Sequence, residues 1–402
     1  MTEQRTPLLV VGGGIGGLTA ALALGGAGVR VRVLERAPEF TEVGAGLQVA
    51  PNASRVLDRL GVLERLRRDA VLPREMVFMN AMTGTRVGSL DLGEKFRRAY
   101  GYEYLVMHRA DLLAALVDAC RADPLITLES GRTVVEVEDL DDTARVRCED
   151  GAVLFAEGVI GADGLHSVVR GAVGAVNDVV SSQYVAYRGA VPIDHVTARA
   201  DPDQVVVWAG PQMHLVQYPV RRAELYNQVA VFRSPRYSPD HQDWGTPEEL
   251  DEHFVDAFPH VRKAVGRVLR DRRWELVDRD PEENWTRNRL TLLGDAAHPM
   301  LQFVAQGACQ AIEDAACLAR SVVDADGDIP RAFAAYQEER RPRTSRVQRE
   351  ARAFGEIIHL DGMGAVVRDA YLASLDPQDF TPVDWLYGHH SSVTSLMTEG
   401  TP

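Results

Sequence analysis

Cysteine is scarce in this sequence. Only four cysteines occur in 402 residues, and none stands in a CxxC pair. Zinc sites, iron–sulfur sites and a disulfide framework are therefore not expected. Cys309 and Cys317 share one apolar helical stretch, where packing in a hydrophobic core explains both.

Positive charge is also in short supply. Lysine and arginine number 44 against 58 acidic residues, so the formal net charge is −14. This balance argues against nucleic acid or an anionic membrane as the main partner. A carboxylate substrate would need a local hydrogen-bonding or positive site, because the overall field repels it. The length predicts more than one substructure.

No apolar run is long enough to predict a membrane span. The leader, residues 1–7, lacks the basic region of a signal peptide, and glycines interrupt the apolar run at 10–24. We therefore expect a cytoplasmic protein.

That glycine-rich run predicts a dinucleotide-binding turn instead. Gly12, Gly14 and Gly17 have GxGxxG spacing between a predicted strand and a predicted helix, and Glu35 ends the next strand. Gly12 would permit the tight turn, Gly14 the approach of a pyrophosphate, and Gly17 the packing of helix on strand. Glu35 has the position of the acid that binds a ribose hydroxyl.

Four later segments add a family resemblance. The segments 158–170 (GVIGADGLHSVVR) and 290–319 (LTLLGDAAHP and onward) resemble the DG and GD motifs of group A flavoprotein monooxygenases, which are FAD-dependent aromatic hydroxylases. The segment 106–112 (VMHRADL) matches a further family segment. The segment 336–344 (YQEERRPRT) resembles the family's long closing helix with its Arg–Pro break.

The resemblance implies how FAD would be held. Glu35 should bind the adenosine ribose, and Arg109 should lie beside FAD. Asp163 should lie near the pyrophosphate and the nicotinamide path, and Asp295 should bind the ribityl chain. The helix after Gly307 should direct its positive end at the flavin pyrimidine ring. The residues expected at the cofactor are Gly12, Gly14, Gly16, Gly17, Glu35, Arg36, Gln48, Arg109, Asp163, Asp295, Gly307 and Ala308.

FAD is expected to be non-covalent, since no histidine or cysteine is placed as an evident link. The chain shows no second GxGxxG unit. The resemblance therefore implies that NADH or NADPH binds only transiently, as a co-substrate with O2. Reduced flavin and O2 would form a C4a-hydroperoxide, which hydroxylates a phenolic aromatic acid.

The fold class expected is α/β, or α+β overall, with two domains and a tail. Residues 1–73, 98–176 and 288–360 would form a Rossmann-like, three-layer FAD-binding domain. Residues 74–97 and 177–287 would form a substrate domain with a mixed or antiparallel sheet and a helical insertion at 246–269. Residues 361–402 would form a C-terminal helical tail. A homodimer would be usual for the family.

Within the family, four segments resemble the members that hydroxylate 3-hydroxybenzoate at ring position 6, giving gentisate. These segments are 42–58 (EVGAGLQVAPNASRVLD), 214–220 (HLVQYPV), 227–232 (NQVAVF) and 298–303 (HPMLQF). A small aromatic acid is thus the expected substrate.

Five residues are candidates at the substrate. Gln302 would hydrogen-bond the substrate hydroxyl, and His214 would accept its proton, for which an imidazole of near-neutral pKa is suited. Tyr218, on the same face of a strand as His214, would hold the carboxylate, and Tyr104 would form the opposite wall. Arg188 is an alternative anchor for the anion. Purely structural roles in strand, core, loop or salt bridge remain open for these residues.

Other functions also remain open. One is a decarboxylating salicylate 1-hydroxylase, against which Gln302 counts because most salicylate-type relatives have proline there. A tailoring hydroxylase of a larger aromatic compound is another. The non-oxygenase alternatives are a flavin oxidase and an FAD-binding redox sensor. The ring position attacked, the choice between NADH and NADPH, and the oligomeric state do not follow from the sequence.

Overall fold

A computed structural model describes residues 6–41, 45–196, 201–241 and 243–389. The first five residues of the leader, residues 42–44 of the segment 42–58, and the tail from 390 onward lie outside the described residues.

Strands and helices alternate near the start of the chain, runs of strands follow, and four helices close the part that the structure describes. The strands are β1 (Thr6–Val11), β2 (Val31–Leu34), β3 (Gly46–Val49), β4 (Glu75–Asn80), β5 (Arg86–Asp91), β6 (Leu105–His108), β7 (Ile126–Glu129), β8 (Val134–Asp139), β9 (Ala144–Cys148), β10 (Val153–Gly161), β11 (Val179–Pro192), β12 (Gln204–Gly210), β13 (Met213–Val220), β14 (Leu225–Arg233), β15 (Trp274–Arg279), β16 (Thr286–Arg287) and β17 (Leu290–Leu292). The helices are α1 (Ile15–Gly26), α2 (Pro51–Arg59), α3 (Leu63–Arg67), α4 (Glu94–Tyr100), α5 (Arg109–Ala122), α6 (Val168–Val173), α7 (Pro247–His253), α8 (Pro259–Val265), α9 (Gly307–Asp324), α10 (Ile329–Ile358), α11 (Gly362–Ser374) and α12 (Thr381–Tyr387).

The first sheet has the order β16-β17-β10-β1-β2-β7, with β8 and β9 attached through β10. The strand β1 pairs in parallel with both β10 and β2. Its apolar residues are buried, as expected for a parallel strand covered on both faces. The helix α1 is buried along most of its length because it packs against α5 and α9. This confirms the predicted α/β fold class, with a parallel βαβ unit at its start.

The second sheet has the order β15-β11-β14-β13-β12-β4-β5, and its pairs are antiparallel except for β12 with β4. Its strands come from the ranges 74–97 and 177–287. The domain boundaries given above remain a prediction. The helical insertion at 246–269 consists of two short helices, α7 and α8. Pro259 opens the second, because proline favours the first helical position and disfavours helix before it.

The closing helix differs from the expected Arg–Pro break. The helix α10 runs without interruption from Ile329 to Ile358 and contains Pro342. Proline removes the bond to the carbonyl four residues earlier, which belongs to exposed Glu338 and can be hydrated. On either side of the proline, Arg340 and Arg343 each reach Glu313 of α9 at 2.6 Å, which holds the helix in place.

Within the described ranges, no helix has both the length and the apolar character needed to cross a bilayer. All four cysteines are buried as free thiols, and Cys309 and Cys317 lie in the core as expected.

Candidate active site

A cavity of about 930 Å³ is lined by residues of both sheets and of the C-terminal helices. Its volume lies at the upper end of the roughly 300–1,000 Å³ typical of cofactor and ligand sites. Every residue predicted above to contact cofactor or substrate lines this cavity, except Gly17.

The glycine-rich turn between β1 and α1 leaves room for a ligand. Gly12 has φ +107°, and a Cβ there would lie 2.4 Å from the carbonyl oxygen of Ala162. A Cβ on Gly17 would lie 2.0 Å from the carbonyl oxygen of Gly12, so glycine is required where the helix meets the turn. At Gly14 no described atom lies within 4 Å of an added Cβ. Gly14 precedes α1, whose first N–H groups have no described side-chain cap and therefore suit a phosphate.

Glu35 holds this turn from the end of β2. Its carboxylate accepts hydrogen bonds from the N–H groups of Gly13 at 2.7 Å and Ala37 at 2.8 Å. The acid is thus fixed at the wall of the cavity, with the exposed Arg36 beside it. The expected ribose contact remains a prediction, and the structure adds that Glu35 also shapes the loop.

Two aspartates follow the ends of β10 and β17. The Oδ2 atom of Asp163 accepts the N–H of Val168 at 2.7 Å. Its Oδ1 atom is buried without a hydrogen-bond partner among the described residues, so a donor on a bound ligand would satisfy it. Burial raises the pKa of Asp163. Asp295 lies in a short 3₁₀ turn, Gly294–Ala296, and approaches the start of α9, with Oδ1 3.9 Å from the position of a Cβ on Gly307.

The N-terminus of α9 opens on the same cavity through Gly307 and Ala308. Gln306 stands at the cap, but its side-chain oxygen accepts from Asn52 at 3.0 Å and from Gln310 at 3.1 Å. No described side chain therefore caps the helix. Its N–H groups and positive end suit a group that gains negative charge, as the pyrimidine ring of reduced flavin does.

Buried ion pairs fix α9 in this position. Arg340 of α10 reaches Glu313 at 2.6 Å and Asp314 at 2.7 Å. Burial opposes ionisation of Glu313, but the charges of Arg340 and Arg343 outweigh it and lower the pKa of Glu313 to about 2. His298 lies 2.5 Å from Asp314 and belongs to this network.

Two tyrosines line the cavity beside β3. Tyr104 donates to the side-chain oxygen of Gln48 at 2.7 Å. Gly46, beside Gln48 on β3, has no room for a side chain, because its Cβ would lie 2.7 Å from the Tyr218 hydroxyl. Burial raises the pKa of the Tyr104 and Tyr218 hydroxyls, so both stay protonated. Gln48 engages the Tyr104 hydrogen, whereas Tyr218 can donate to an anion.

His214 is buried and hydrogen-bonded within the protein. Its Nδ1 atom lies 2.7 Å from Nε2 of His359, which follows α10. Burial lowers the pKa of His214 to about 3. The near-neutral pKa expected from the sequence is therefore wrong, because desolvation disfavours the charged imidazolium. Gln302 borders the same cavity and opens a short 3₁₀ turn, Gln302–Val304.

Arg188 stacks on an aromatic ring at the cavity wall. Its Cζ atom lies 3.9 Å from the centroid of Trp274, a cation–π contact that holds the guanidinium in place. Arg109 also lines the cavity, and its backbone N–H donates to the backbone carbonyl of Ala45 at 3.1 Å.

Sequence reasoning missed two contributions to the site. His359 is 145 positions from His214 and belongs to no motif noted in the sequence. The C-terminal tail supplies cavity wall through residues such as Trp385 and Tyr387, the latter with its ring centroid 6.0 Å from that of Tyr104. No local pattern could have indicated either contact, since each joins distant segments.

Comparison with known proteins gives a consistent picture. The family model described as "FAD binding domain" matches residues 5–351. The chain is 37% identical over 385 residues to 3-hydroxybenzoate 6-hydroxylase of Klebsiella oxytoca, covering 94% of this chain and 96% of that protein. It is 38% identical over 390 residues to 3-amino-4-hydroxybenzoate 2-monooxygenase of Streptomyces cremeus, covering 96% of each.

Among solved structures, Klebsiella pneumoniae HpxO complexed with FAD and uric acid matches with a TM-score of 0.83 and 26% identity. The match covers 95% of this chain and 96% of HpxO. The fold that surrounds the cavity is therefore one that holds FAD in a solved relative.

Proposed function

Because this chain belongs to the FAD binding domain family and is an FAD-dependent aromatic monooxygenase, we propose that its substrate is a hydroxybenzoate. The proposed reaction is hydroxylation of 3-hydroxybenzoate at ring position 6, which gives 2,5-dihydroxybenzoate. Curated relatives from three bacteria, each 37–38% identical over most of the chain, bear the name of this activity.

The cavity itself carries the proposal most directly. The glycine-rich turn, both aspartates, the start of α9 and the predicted substrate residues all line one continuous space. FAD supplies the redox chemistry when bound, taking electrons from NADH or NADPH and using O2 to provide the oxygen atom. The residues of the chain then bind, orient and deprotonate the aromatic ring.

We propose that the carboxylate of the substrate binds in the part of the cavity lined by Tyr104 and Tyr218. Tyr218 is buried and its hydroxyl stays protonated, so it can donate to an anion without adding a charge. Arg188 lines the same wall and would add positive potential, which a chain of net charge −14 must supply locally. Gln302 would bind the phenol hydroxyl, and His214 would accept its proton.

A second candidate substrate is 3-amino-4-hydroxybenzoate, since a relative of equal identity bears that name. Both compounds are hydroxybenzoates and present the same carboxylate and phenol to the protein. They differ in where the hydroxyl stands relative to the carboxylate, and hence in where it would reach Gln302 and His214.

The test uses purified holoprotein with NADH or NADPH, O2 and one of three acids: 3-hydroxybenzoate, 3-amino-4-hydroxybenzoate or salicylate. NADH loss, hydrogen peroxide and aromatic product are measured together. We expect 2,5-dihydroxybenzoate nearly equal to the NADH consumed with 3-hydroxybenzoate. Formation of catechol from salicylate would identify salicylate as the substrate instead. Turnover of 3-amino-4-hydroxybenzoate alone would identify that compound as the substrate.

His214→Ala is expected to retain FAD and to oxidise NADH in the presence of substrate, but to release hydrogen peroxide instead of hydroxylated product. Loss of the proton acceptor should lower hydroxylation by about 10²–10⁴. Gln302→Ala should uncouple more mildly, because it removes a hydrogen bond and leaves the acceptor. His260→Gln, whose histidine stacks on Trp208 and does not line the cavity, is the control. Unchanged coupling in His214→Ala would assign His214 a purely structural role.

The finer expectations on assembly and location are also proposals. A homodimer is expected from the family resemblance, and light scattering of the purified protein checks it. The cytoplasmic location remains a prediction from the sequence.

A further inference from the structure

We propose that His214 and His359 form a two-histidine proton relay, in which His359 takes the proton that His214 releases and passes it to solvent. This inference rests on the proposed function, because it concerns the proton of a phenolic substrate. His359 then acts as a positioning and relay residue, while His214 meets the substrate.

The contact between the two rings determines which nitrogen of His214 is engaged by His359 and which is left to accept the substrate proton. The Nδ1 atom of His214 and the Nε2 atom of His359 are 2.7 Å apart, so one proton lies between them and one ring donates. His214 also lines the cavity. With Nδ1 engaged by His359, Nε2 is the nitrogen left for a ligand. His214 can accept a proton at Nε2 only if Nδ1 carries the shared hydrogen and His359 is the acceptor.

The surroundings disfavour a positive charge on either ring. His214 is 2% exposed, and burial lowers the pKa of both imidazoles. The charge of Arg368 on α11 and the ring of His253 on α7 lower the pKa of His359 further. A lone buried His214 would have to hold the proton it takes as an imidazolium. A relay removes that requirement, because both rings are neutral before and after the transfer.

The proton balance is simple. The phenol O–H breaks as His214 Nε2 gains its proton. The Nδ1–H bond of His214 breaks as Nε2 of His359 gains that hydrogen. The Nδ1–H proton of His359 leaves to water. One proton has moved from substrate to solvent, and each histidine has exchanged one neutral tautomer for the other. After the product has left, water takes the Nε2 proton of His214, the shared hydrogen returns to Nδ1 of His214, and water protonates Nδ1 of His359, which restores the pair.

His359 is the member nearer the surface. It is 6% exposed and lies between Ile357 and Leu360, which are 47% and 39% exposed. Two contacts fix its ring: it stacks on Tyr184 with centroids 4.4 Å apart, and it meets the His214 ring edge to edge through the contact between the two nitrogens. The N–H of Gln212 donates to the His359 carbonyl at 3.0 Å, which ties this end of α10 to the strand carrying His214.

The first test reads the tautomers directly and needs no turnover. Holoprotein labelled with ¹⁵N-histidine is examined by long-range ¹H–¹⁵N correlation, with His214→Gln and His359→Gln used for assignment. We expect His214 with a protonated Nδ1 and a bare Nε2. A His214 ring protonated at Nε2 would overturn the proposal, because that ring would receive its hydrogen bond from His359 and could not accept the substrate proton.

The second test separates relay from positioning with two variants. His359→Gln places an amide oxygen near the position of Nε2, so it can accept from His214 but cannot pass a proton on. His359→Phe keeps a ring and removes both functions. We expect both variants to retain FAD and the KM for substrate, and to lose hydroxylation by about tenfold or more, within the range for acid–base groups. His260→Gln should behave as wild type.

The outcomes distinguish the hypotheses. Wild-type coupling in His359→Gln with loss in His359→Phe would leave His359 as a positioning residue and refute the relay. Wild-type coupling in both variants would refute any role of His359 in hydroxylation. If wild-type protein hydroxylates none of the hydroxybenzoates, the proposed function fails, while the tautomer measurement still decides the state of the pair.

Discussion

Single atoms decide whether the glycine-rich turn can hold a pyrophosphate. Gly14 and Gly17 are three positions apart, yet an added methyl group would meet different surroundings. At Gly17 it would lie 2.0 Å from a backbone oxygen, whereas at Gly14 no described atom lies within 4 Å. The space at Gly14 therefore belongs to the cavity, and the space at Gly17 is occupied by the fold.

Gly14→Ala is expected to fold but to bind FAD more weakly, by about 1–3 kcal/mol, the usual cost of an extra methyl group in a packed site. Gly14 has extended backbone angles that alanine tolerates. FAD titration of the apoprotein gives the affinity, and thermal unfolding gives the stability. Gly171→Ala, also with open space at its Cβ but outside the cavity, is the control. Wild-type FAD affinity in Gly14→Ala would mean that no phosphate approaches this residue.

At the scale of elements, α9 and α10 depend on each other. The helix α9 directs its N-terminus at the cavity, and α10 supplies the arginines that neutralise its buried acids. The same arginines stand on either side of Pro342 and keep α10 continuous. The helix terminus that faces the cavity is thus positioned by ion pairs of Glu313 and Asp314, which lie six and seven residues along the helix from Gly307.

Arg340→Met should destabilise the holoprotein by about 3–5 kcal/mol, because it leaves Glu313 and Asp314 as buried charges with fewer partners. Arg349→Met, at an exposed position on the same helix, should change stability by less than about 0.5 kcal/mol. Urea unfolding followed by tryptophan fluorescence measures both. Equal unfolding midpoints for the two variants would show that the network does not stabilise this helix pair.

At the scale of the whole molecule, buried and half-buried histidines link stability to pH. Burial lowers the pKa of five histidines in the described residues: His108, His214, His253, His359 and His389. The unfolded chain binds protons at these positions near pH 6.5, whereas the folded chain does not. Their neutral burial therefore favours the folded state above pH 6.5, and stability falls as the pH drops below it.

His359→Gln should make the protein less sensitive to acid. Removing one such histidine should reduce the loss of unfolding free energy between pH 6.5 and pH 5 by about 2 kcal/mol. Chemical unfolding at a series of pH values measures this slope, with the plateau near pH 8 as the reference. The carboxylates Glu313 and Asp314, with pKa values of about 2, contribute only at lower pH. A slope equal to that of wild type would contradict the buried, neutral state of His359.

Local patterns in the sequence were sufficient to predict the elements whose structure depends on residues close together in the chain. The strand, turn and helix at 6–26 and the acid that follows β2 each depend on neighbouring residues and side-chain periodicity. The family motifs added the class of cofactor and reaction, which the comparisons with known proteins confirm. Local patterns and motifs thus sufficed for the α/β class and for the cofactor.

Only the tertiary structure decided what depends on distant segments. It brings His359 to His214, and desolvation in that place lowers the pKa that the sequence would leave near neutral. It also brings the C-terminal helices to the cavity wall, and it keeps α10 continuous through Pro342. The physical reason is common to all three: burial and ion pairing depend on which segments meet in space, and residue type and spacing do not specify that.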